Sequence, residues 1–288
     1  MQNQYVNIEN RIFLPEATQA VLWDLDGTLV DSFTFDLKVC SKIISQYAGR
    51  QLTISEQLLR EGFPLAGMDF WHFLFEGVGL RADENLTSQA FRDWIALRLV
   101  EPFPLHEGIA EILPAIRKHG LRMAVVSNNP QSEVIQIAQN SGILSWFDLL
   151  VGNDGEGRAK KPEPDSYIYA AEMLGVPVEQ CVVIEDSVLG LKSGKAAQAY
   201  TIGVASGAEA FDQLVASSLA DVCFSKFHPC VCGAIEGEAS EVTLPDNAVA
   251  LLLKSALGCS DKAIRIIWNN NNWPLLANYI EQSVQSSR

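Results

Sequence analysis

Residues 20–32, Ala-Val-Leu-Trp-Asp-Leu-Asp-Gly-Thr-Leu-Val-Asp-Ser, constrain this chain more than any other stretch. A short apolar run stops abruptly at two aspartates, Asp24 and Asp26, followed by Gly27 and Thr28. Apolar residues that give way to turn chemistry read as a buried strand emerging into a loop. In open α/β sheets, ligands bind outside the carboxyl ends of such strands. Alternate residues of a strand point the same way, so Asp24 and Asp26 converge if the extended geometry persists that far. Two carboxylates so close repel unless a cation or a shared proton offsets them. A hard ion such as Mg²⁺, which takes oxygen ligands, is the economical partner. One aspartate could then act as nucleophile while the other handles protons. The stretch alone is equally compatible with a turn whose carboxylates bond the backbone.

Three later segments shift that balance. Arg122-Met-Ala-Val-Val-Ser-Asn-Asn-Pro130 is a second apolar run, delivering Ser127 and Asn128 to a strand end. A hydroxyl and backbone amides there suit a phosphate oxygen if a helix begins near Pro130, and they suit a helix cap as well. Lys160-Lys-Pro-Glu-Pro-Asp165 is held extended by its prolines ahead of a helix through Leu174. A lysine fixed there can neutralise phosphate or a carboxylate. Cys181-Val-Val-Ile-Glu-Asp-Ser187 is again an apolar strand ending in acids, and Glu185 and Asp186 complete a cluster that calls for a cation.

Taken in order, Asp24-Leu-Asp-Gly-Thr28, Ser127, Lys161-Pro162 and Glu185-Asp186 resemble the motifs of the haloacid dehalogenase superfamily. The likeness is to its phosphatase-like members with a helical cap inserted after the first strand, and it covers roughly residues 19–225. The resemblance implies that Asp24 is the nucleophile, forming an aspartyl-phosphate, and Asp26 the general acid/base. It implies that Thr28 supports the loop, and that Ser127, Asn128 and Lys161 bind the transferring phosphoryl group. Lys161 matches the pattern better than Lys160 because it directly precedes the proline. Mg²⁺ would be held by the Asp24 side chain, the Asp26 carbonyl oxygen and the Asp186 carboxylate, with Glu185 acting directly or through water.

The same resemblance separates chemistries. Dehalogenating relatives lack an aspartate at the position of Asp26, so carbon–halogen cleavage is disfavoured. Phosphonatase relatives use a cap lysine as a Schiff base. Lys38 and Lys42, the only lysines in the insert, read as solvated helix residues. Sugar-phosphate mutases with this architecture carry a histidine where this chain has Asp36, and Gln198 stands where the family usually has glycine.

Composition describes a globular rather than a disordered protein: 48% hydrophobic and 19% charged residues over 288 positions. A net charge of -14 argues against a nucleic-acid surface. The opening residues lack a secretory pattern and no apolar run is long enough to span a membrane, so a cytoplasmic location is expected. Of six cysteines, Cys40, Cys181 and Cys223 lie in apolar surroundings and read as small buried hydrophobes. His228, Cys230 and Cys232 are close enough to suggest zinc, but their spacing is not that of a common structural site.

The expected fold is a Rossmann-like three-layer α/β/α core with a parallel sheet, an inserted all-helical cap and a helical C-terminal extension. Residues 1–32 and 101–225 form the catalytic core, 33–100 the cap and 226–288 the extension. Strands are expected up to Asp24 and near 121–127, 148–151, 181–185 and 200–204, with helices at 107–119, 131–141 and 165–175. Residues 1–18 read as a polar lead-in packed by Ile12-Phe-Leu14. The aromatics of 70–75 and 91–99 read as the cap's own core. By the resemblance, specificity lies in the loop Glu61–Met68, with Phe63 and Met68 presenting mainly apolar surface. Arg60 could meet a substrate carboxylate or sugar hydroxyls, and reads equally as an exposed helix-end residue. The expected activity is Mg²⁺-dependent hydrolysis of a small phosphorylated metabolite, of phosphoglycolate or sugar phosphate type. The alternatives are a phosphosugar mutase of the same fold, or a binding or scaffold protein acting through 226–288. That tail also leaves self-association or a protein partner open.

Overall fold

The computed structural model describes residues 5–8, 12–15, 17–63, 65, 67–155, 157–206 and 211–224. Two strands, β1 (Tyr5–Ile8) and β2 (Ile12–Pro15), form an antiparallel hairpin. Within the expected polar lead-in, Leu14 of β2 is fully buried. The core sheet has six strands: β3 (Ala20–Trp23), β4 (Arg122–Val126), β5 (Leu149–Val151), β6 (Cys181–Glu185), β7 (Tyr200–Val204) and β8 (Val222–Phe224). Their spatial order is β5-β4-β3-β6-β7-β8, and every pairing is parallel. Five of these strands lie where the sequence places them, and β8 extends the sheet beyond the expected set.

The strands are apolar on both faces because both faces are covered. Along β3, Val21 and Trp23 face one apolar cluster while Ala20 and Leu22 face another. Helices α5 (Ile109–Lys118) and α6 (Gln131–Asn140) close the first layer, and α7 (Asp165–Leu174) closes the second through Tyr167, Ala170 and Leu174. The two remaining helices of this part are α8 (Val188–Ala196) and α9 (Phe211–Ala216).

Strand order places the site. The chain goes from β3 to β4 and β5 on one side, then crosses to β6 on the other, so β3 flanks the switch point where such sheets bind ligands. Trp23 pairs with Val125 and with Ile184, which brings the ends of β3, β4 and β6 level. Asp24 donates its backbone N–H to the Ile184 carbonyl at 3.0 Å, carrying the ladder one residue further.

Between β3 and α5 come four helices: α1 (Ser32–Ala48), α2 (Glu56–Gly62), α3 (Met68–Gly77) and α4 (Glu84–Val100). Three have side-chain caps, with Asp31, Ser55 and Asp83 accepting from Thr34, Leu58 and Leu86 N–H groups. α2, only seven residues long, was not separable from its flanking loop by periodicity. As expected, Phe70, Trp71 and Phe75 form an apolar centre, with Phe70 and Trp71 ring centroids 5.7 Å apart. The segments entering and leaving this insert run side by side, Asp31 N–H donating to the Pro104 carbonyl at 2.8 Å. Among the described residues no helix is long and apolar enough to cross a membrane.

α8 ends in a left-handed turn at Gln198, with φ of 69°. Ala199 N–H reaches back to the Gly194 carbonyl at 3.1 Å and Gln198 N–H to Lys195 at 3.0 Å, the bonding of a helix stop that favours glycine. A side chain there costs about 1–2 kcal/mol relative to glycine. Gln198→Gly is therefore expected to stabilise the protein by up to about 1 kcal/mol once glycine's unfolded-state entropy is counted. Urea denaturation checks this, and an unchanged or lowered midpoint refutes it.

Candidate active site

The three strand ends meet around one ammonium. Lys161 Nζ donates to Asp24 Oδ1 at 2.6 Å, to Glu185 Oε1 at 2.6 Å and to the Val126 carbonyl at 2.8 Å. All three side chains are buried. Asn128 sets the lysine in place: its Oδ1 accepts from Lys161 N–H at 2.9 Å and its Nδ2 donates to the Lys161 carbonyl at 3.3 Å. Glu185 is held by further donors, Tyr167 Oη at 2.8 Å on Oε1 and Ser187 Oγ at 3.0 Å on Oε2.

Burial and mutual repulsion strain these charges. Burial, and then the charge of Glu185, push the Asp24 carboxyl from 3.8 to about 7, with Lys161 pulling the other way. Burial, then Asp24 and Glu185, raise Asp186 well above the carboxylate range. Burial lowers the Lys161 ammonium, but Asp24 and Glu185 outweigh it and its pKa stands well above the usual value.

Carboxylate oxygens of Asp24, Glu185 and Asp186 lie within 4.8 Å of one another. Thr28 Oγ1 donates to Asp186 Oδ1 at 3.3 Å, orienting that carboxylate from the loop below. Three carboxylates against a single ammonium form a hard-oxygen donor set, and the chemistry of that set fits a divalent cation such as Mg²⁺. Asp24 and Asp186 are the less committed members, because Glu185 already accepts from three side chains.

The remaining expected residues fall into two places. Ser127 is buried at the end of β4, and its Oγ accepts from Asn129 N–H at 3.1 Å. Asp26 lies just ahead of the turn at Gly27–Leu29, with Asn129 Nδ2 on Oδ2 at 2.7 Å and Arg98 Nη2 on Oδ1 at 2.9 Å. Arg60, Phe63 and Met68 stand apart from this cluster. The Arg60 guanidinium lies 4.1 Å over the Phe33 ring, and Phe63 packs beside Phe33 with centroids 5.7 Å apart. Met68 is half exposed at the start of α3. Pro64 and Ala66 of the same loop, His228, Cys230, Cys232 and the whole of 226–288 lie outside the described residues.

Sequence reasoning missed Arg98, Asn129 and Tyr167. Asn129 is the residue after Asn128 and was hidden by it. Tyr167 looked like one more apolar residue of α7. Arg98 lies between Leu97 and Leu99 in a segment read as apolar core; the available signal was Trp94, one helical turn earlier, which donates to Asp36 Oδ1 at 2.8 Å.

A family model of haloacid dehalogenase-like hydrolases matches residues 18–198, and the chain belongs to that family. A phosphoglycolate phosphatase from Colwellia psychrerythraea is 28% identical over 195 residues, covering 66% of this chain and 85% of that protein. Among solved structures, a haloacid dehalogenase family hydrolase from Deinococcus radiodurans with bound phosphate and sodium aligns with a TM-score of 0.59 and 27% identity, over 70% of this chain and 88% of the other. A putative beta-phosphoglucomutase from Thermotoga maritima shares the fold, with a TM-score of 0.61 at 21% identity, covering 74% and 96% of the two chains.

The raised Asp24 carboxyl has a measurable consequence. Because it binds a proton more tightly folded than unfolded, its contribution to stability is fully present below about pH 4 and is lost as pH rises through about 7. Metal-free wild-type protein is expected to lose more stability between about pH 5 and about pH 8 than Asp24→Asn, which cannot ionise. Denaturant titrations at both pH values check this, and parallel losses in the two proteins refute it.

Proposed function

We propose that the protein is a Mg²⁺-dependent phosphatase of a small phosphorylated metabolite, working through an aspartyl-phosphate on Asp24. The observation that carries this is Lys161 bridging Asp24 and Glu185 at the level strand ends, inside a cluster with an excess of carboxylates. Residues 1–32 and 101–225 would be the catalytic core, 33–100 a cap over it and 226–288 a separate extension.

In this reading Asp24 and Asp186, with the Asp26 carbonyl oxygen, would hold Mg²⁺, which when bound would supply positive charge beside the phosphoryl oxygens and the attacking carboxylate. Asp24 attacks phosphorus while the bond to the leaving oxygen breaks. Lys161 reduces the repulsion between that carboxylate and the phosphoryl oxygens. Ser127, with the N–H groups around Asn128, receives a phosphoryl oxygen, and Thr28 and Glu185 hold Asp186 and Lys161 in place. Asp26 gives a proton to the departing alkoxide and then takes one from the water that attacks the aspartyl-phosphate.

Phosphoglycolate or a sugar phosphate is the substrate class this reading favours. The phosphoglycolate phosphatase relative supports it, as does the polar Asp26 in place of a residue suited to dehalogenation. A phosphosugar mutase rests on likeness of fold alone, and Asp36 is buried against Arg98 and Trp94 rather than available to a sugar.

Phosphate release from a panel of phosphorylated metabolites, with and without Mg²⁺, tests the reading. Turnover is expected with Mg²⁺, to stop on chelation, and to vanish in Asp24→Asn while the fold is retained. Release by that variant at close to the wild-type rate would remove Asp24 as nucleophile.

Specificity is expected to lie in Arg60 and the loop Glu61–Met68, although these stand apart from the carboxylate cluster. Arg60→Ala, or exchange of residues 63–68, should shift the preference among metabolites by about 10-fold or more. Hydrolysis of a small aryl phosphate, which makes few contacts with the insert, should change little. Equal losses on every substrate would assign the loop to folding or closure instead.

A further inference from the structure

We infer that Arg98 is a positioning residue, through which the helical insert fixes the orientation of the proton-transferring carboxyl Asp26. The inference rests on the phosphatase reading above, in which Asp26 serves the leaving group.

Arg98 is 5% exposed and belongs to α4, far along the chain from every catalytic segment. Its Nη1 donates to both oxygens of Asp36 at 3.2 and 3.1 Å, and its Nε to Glu133 Oε1 at 2.9 Å. The faces of the guanidinium meet the rings of Trp94 and Phe103, each 4.9 Å from Cζ. These contacts fix the group before Asp26 is considered. Nη2 is then aimed at Asp26 Oδ1, 2.9 Å away.

The excess of anions is the informative part. A structural ion pair needs one carboxylate, and each further buried carboxylate adds a desolvation cost. Here three surround one guanidinium, and their side-chain exposures differ: Asp36 is 3% exposed, Glu133 13% and Asp26 28%. The two more deeply buried acids act as the mount. The most open one, Asp26, is the acid that is mounted.

Asn129 Nδ2 holds the other oxygen of Asp26 at 2.7 Å, so both oxygens are engaged and the plane of the carboxyl is set. Proton transfer requires that carboxyl within hydrogen-bond reach of the leaving oxygen. A displacement of about 1 Å can cost on the order of 10²-fold in rate. Asp26 and Asn129 come from the loops after β3 and β4, whereas Arg98 and Asp36 come from the insert. The placement of the insert therefore sets one of the two bonds that orient Asp26.

The test compares kcat/KM on an alkyl phosphate monoester, whose alkoxide leaves only with a proton, and on p-nitrophenyl phosphate, whose leaving group departs without one. kcat/KM covers steps through departure of the leaving group, so later hydrolysis of the aspartyl-phosphate does not blur the comparison. Arg98→Lys keeps the charge but cannot span three carboxylates at once. It is expected to lower the alkyl value about 10²-fold and the aryl value by only a few-fold. In an Asp26→Ala background the same change should lower the alkyl value little further, because the group it positions is gone. If thermal unfolding shows Arg98→Lys to be misfolded, the double variant Arg98→Met/Asp36→Leu removes cation and anion together and is expected to give the same pattern. Equal losses on both esters, or an undiminished further loss in the Asp26→Ala background, would make Arg98 a structural staple and overturn the inference alone. Wild-type protein that hydrolyses neither ester with Mg²⁺ present would overturn the phosphatase reading, and this inference with it.

Discussion

The ammonium of Lys161, buried between Asp24 and Glu185, is the interaction on which the rest of the site depends. Without a cation at that point, the ends of β3 and β6 would bring carboxylates together in a region shielded from water. The fold arranges several independent supports for it. Asn128 grips the backbone of Lys161, the Val126 carbonyl takes its third proton, and Tyr167 and Ser187 satisfy Glu185 from α7 and from the start of α8. Even the approach of α8 is fitted to this cluster. A Cβ at Gly190 would lie 1.8 Å from the Glu185 carboxyl, so only glycine lets the first turn of that helix close over it. Core packing and site electrostatics are here the same set of contacts.

Lys161 and Arg98 repeat one electrostatic pattern at two depths, each a buried cation facing more carboxylates than it can neutralise. On a chain of net charge -14, neither side chain is spare to attract a phosphate from solution. The two clusters differ in their geometry. Around Lys161 the oxygens of Asp24, Glu185 and Asp186 converge within 4.8 Å of one another, as ligands of a small hard cation do. Around Arg98 the acids are spread over the planar fork of a guanidinium, each on its own N–H group, which suits orientation rather than ion binding.

The strands were legible because buried parallel strands are continuous apolar runs with abrupt polar ends, and Trp23, Val125 and Ile184 each precede such an end. Asp24, Glu185 and Asp186 were legible for the same reason, as charges placed where apolar sequence stops, whereas Lys161 was marked by the proline that follows it. Arg98 was not, because a charge inside a helix is ordinarily solvated, and only tertiary packing turns its face inward. Asp36 was noticed only as a departure from a relative's histidine, although it is half of the pair that buries Arg98. The pairing of β1 with β2 was missed because four residues per strand carry too little periodicity to identify.

The insert reaches the strand-end cluster through Arg98, and the helix that holds Arg98 also carries the ring beneath Arg60. Phe33, which packs against Arg60 and Phe63, and Asp36, which holds Arg98, are three residues apart on the first turns of α1. Residues at that spacing share a helix face and move as one rigid unit. α1 begins directly after Asp31, whose N–H is bonded to the segment leaving the insert at Pro104. Arg60 and Phe63 thus rest on the same helix that carries Asp36, and Asp36 holds the Arg98 that reaches the carboxyl of Asp26. A shift of α1 would bear on Arg98 and Asp26 together, whereas Asp24 is held by its backbone bond to Ile184 of β6.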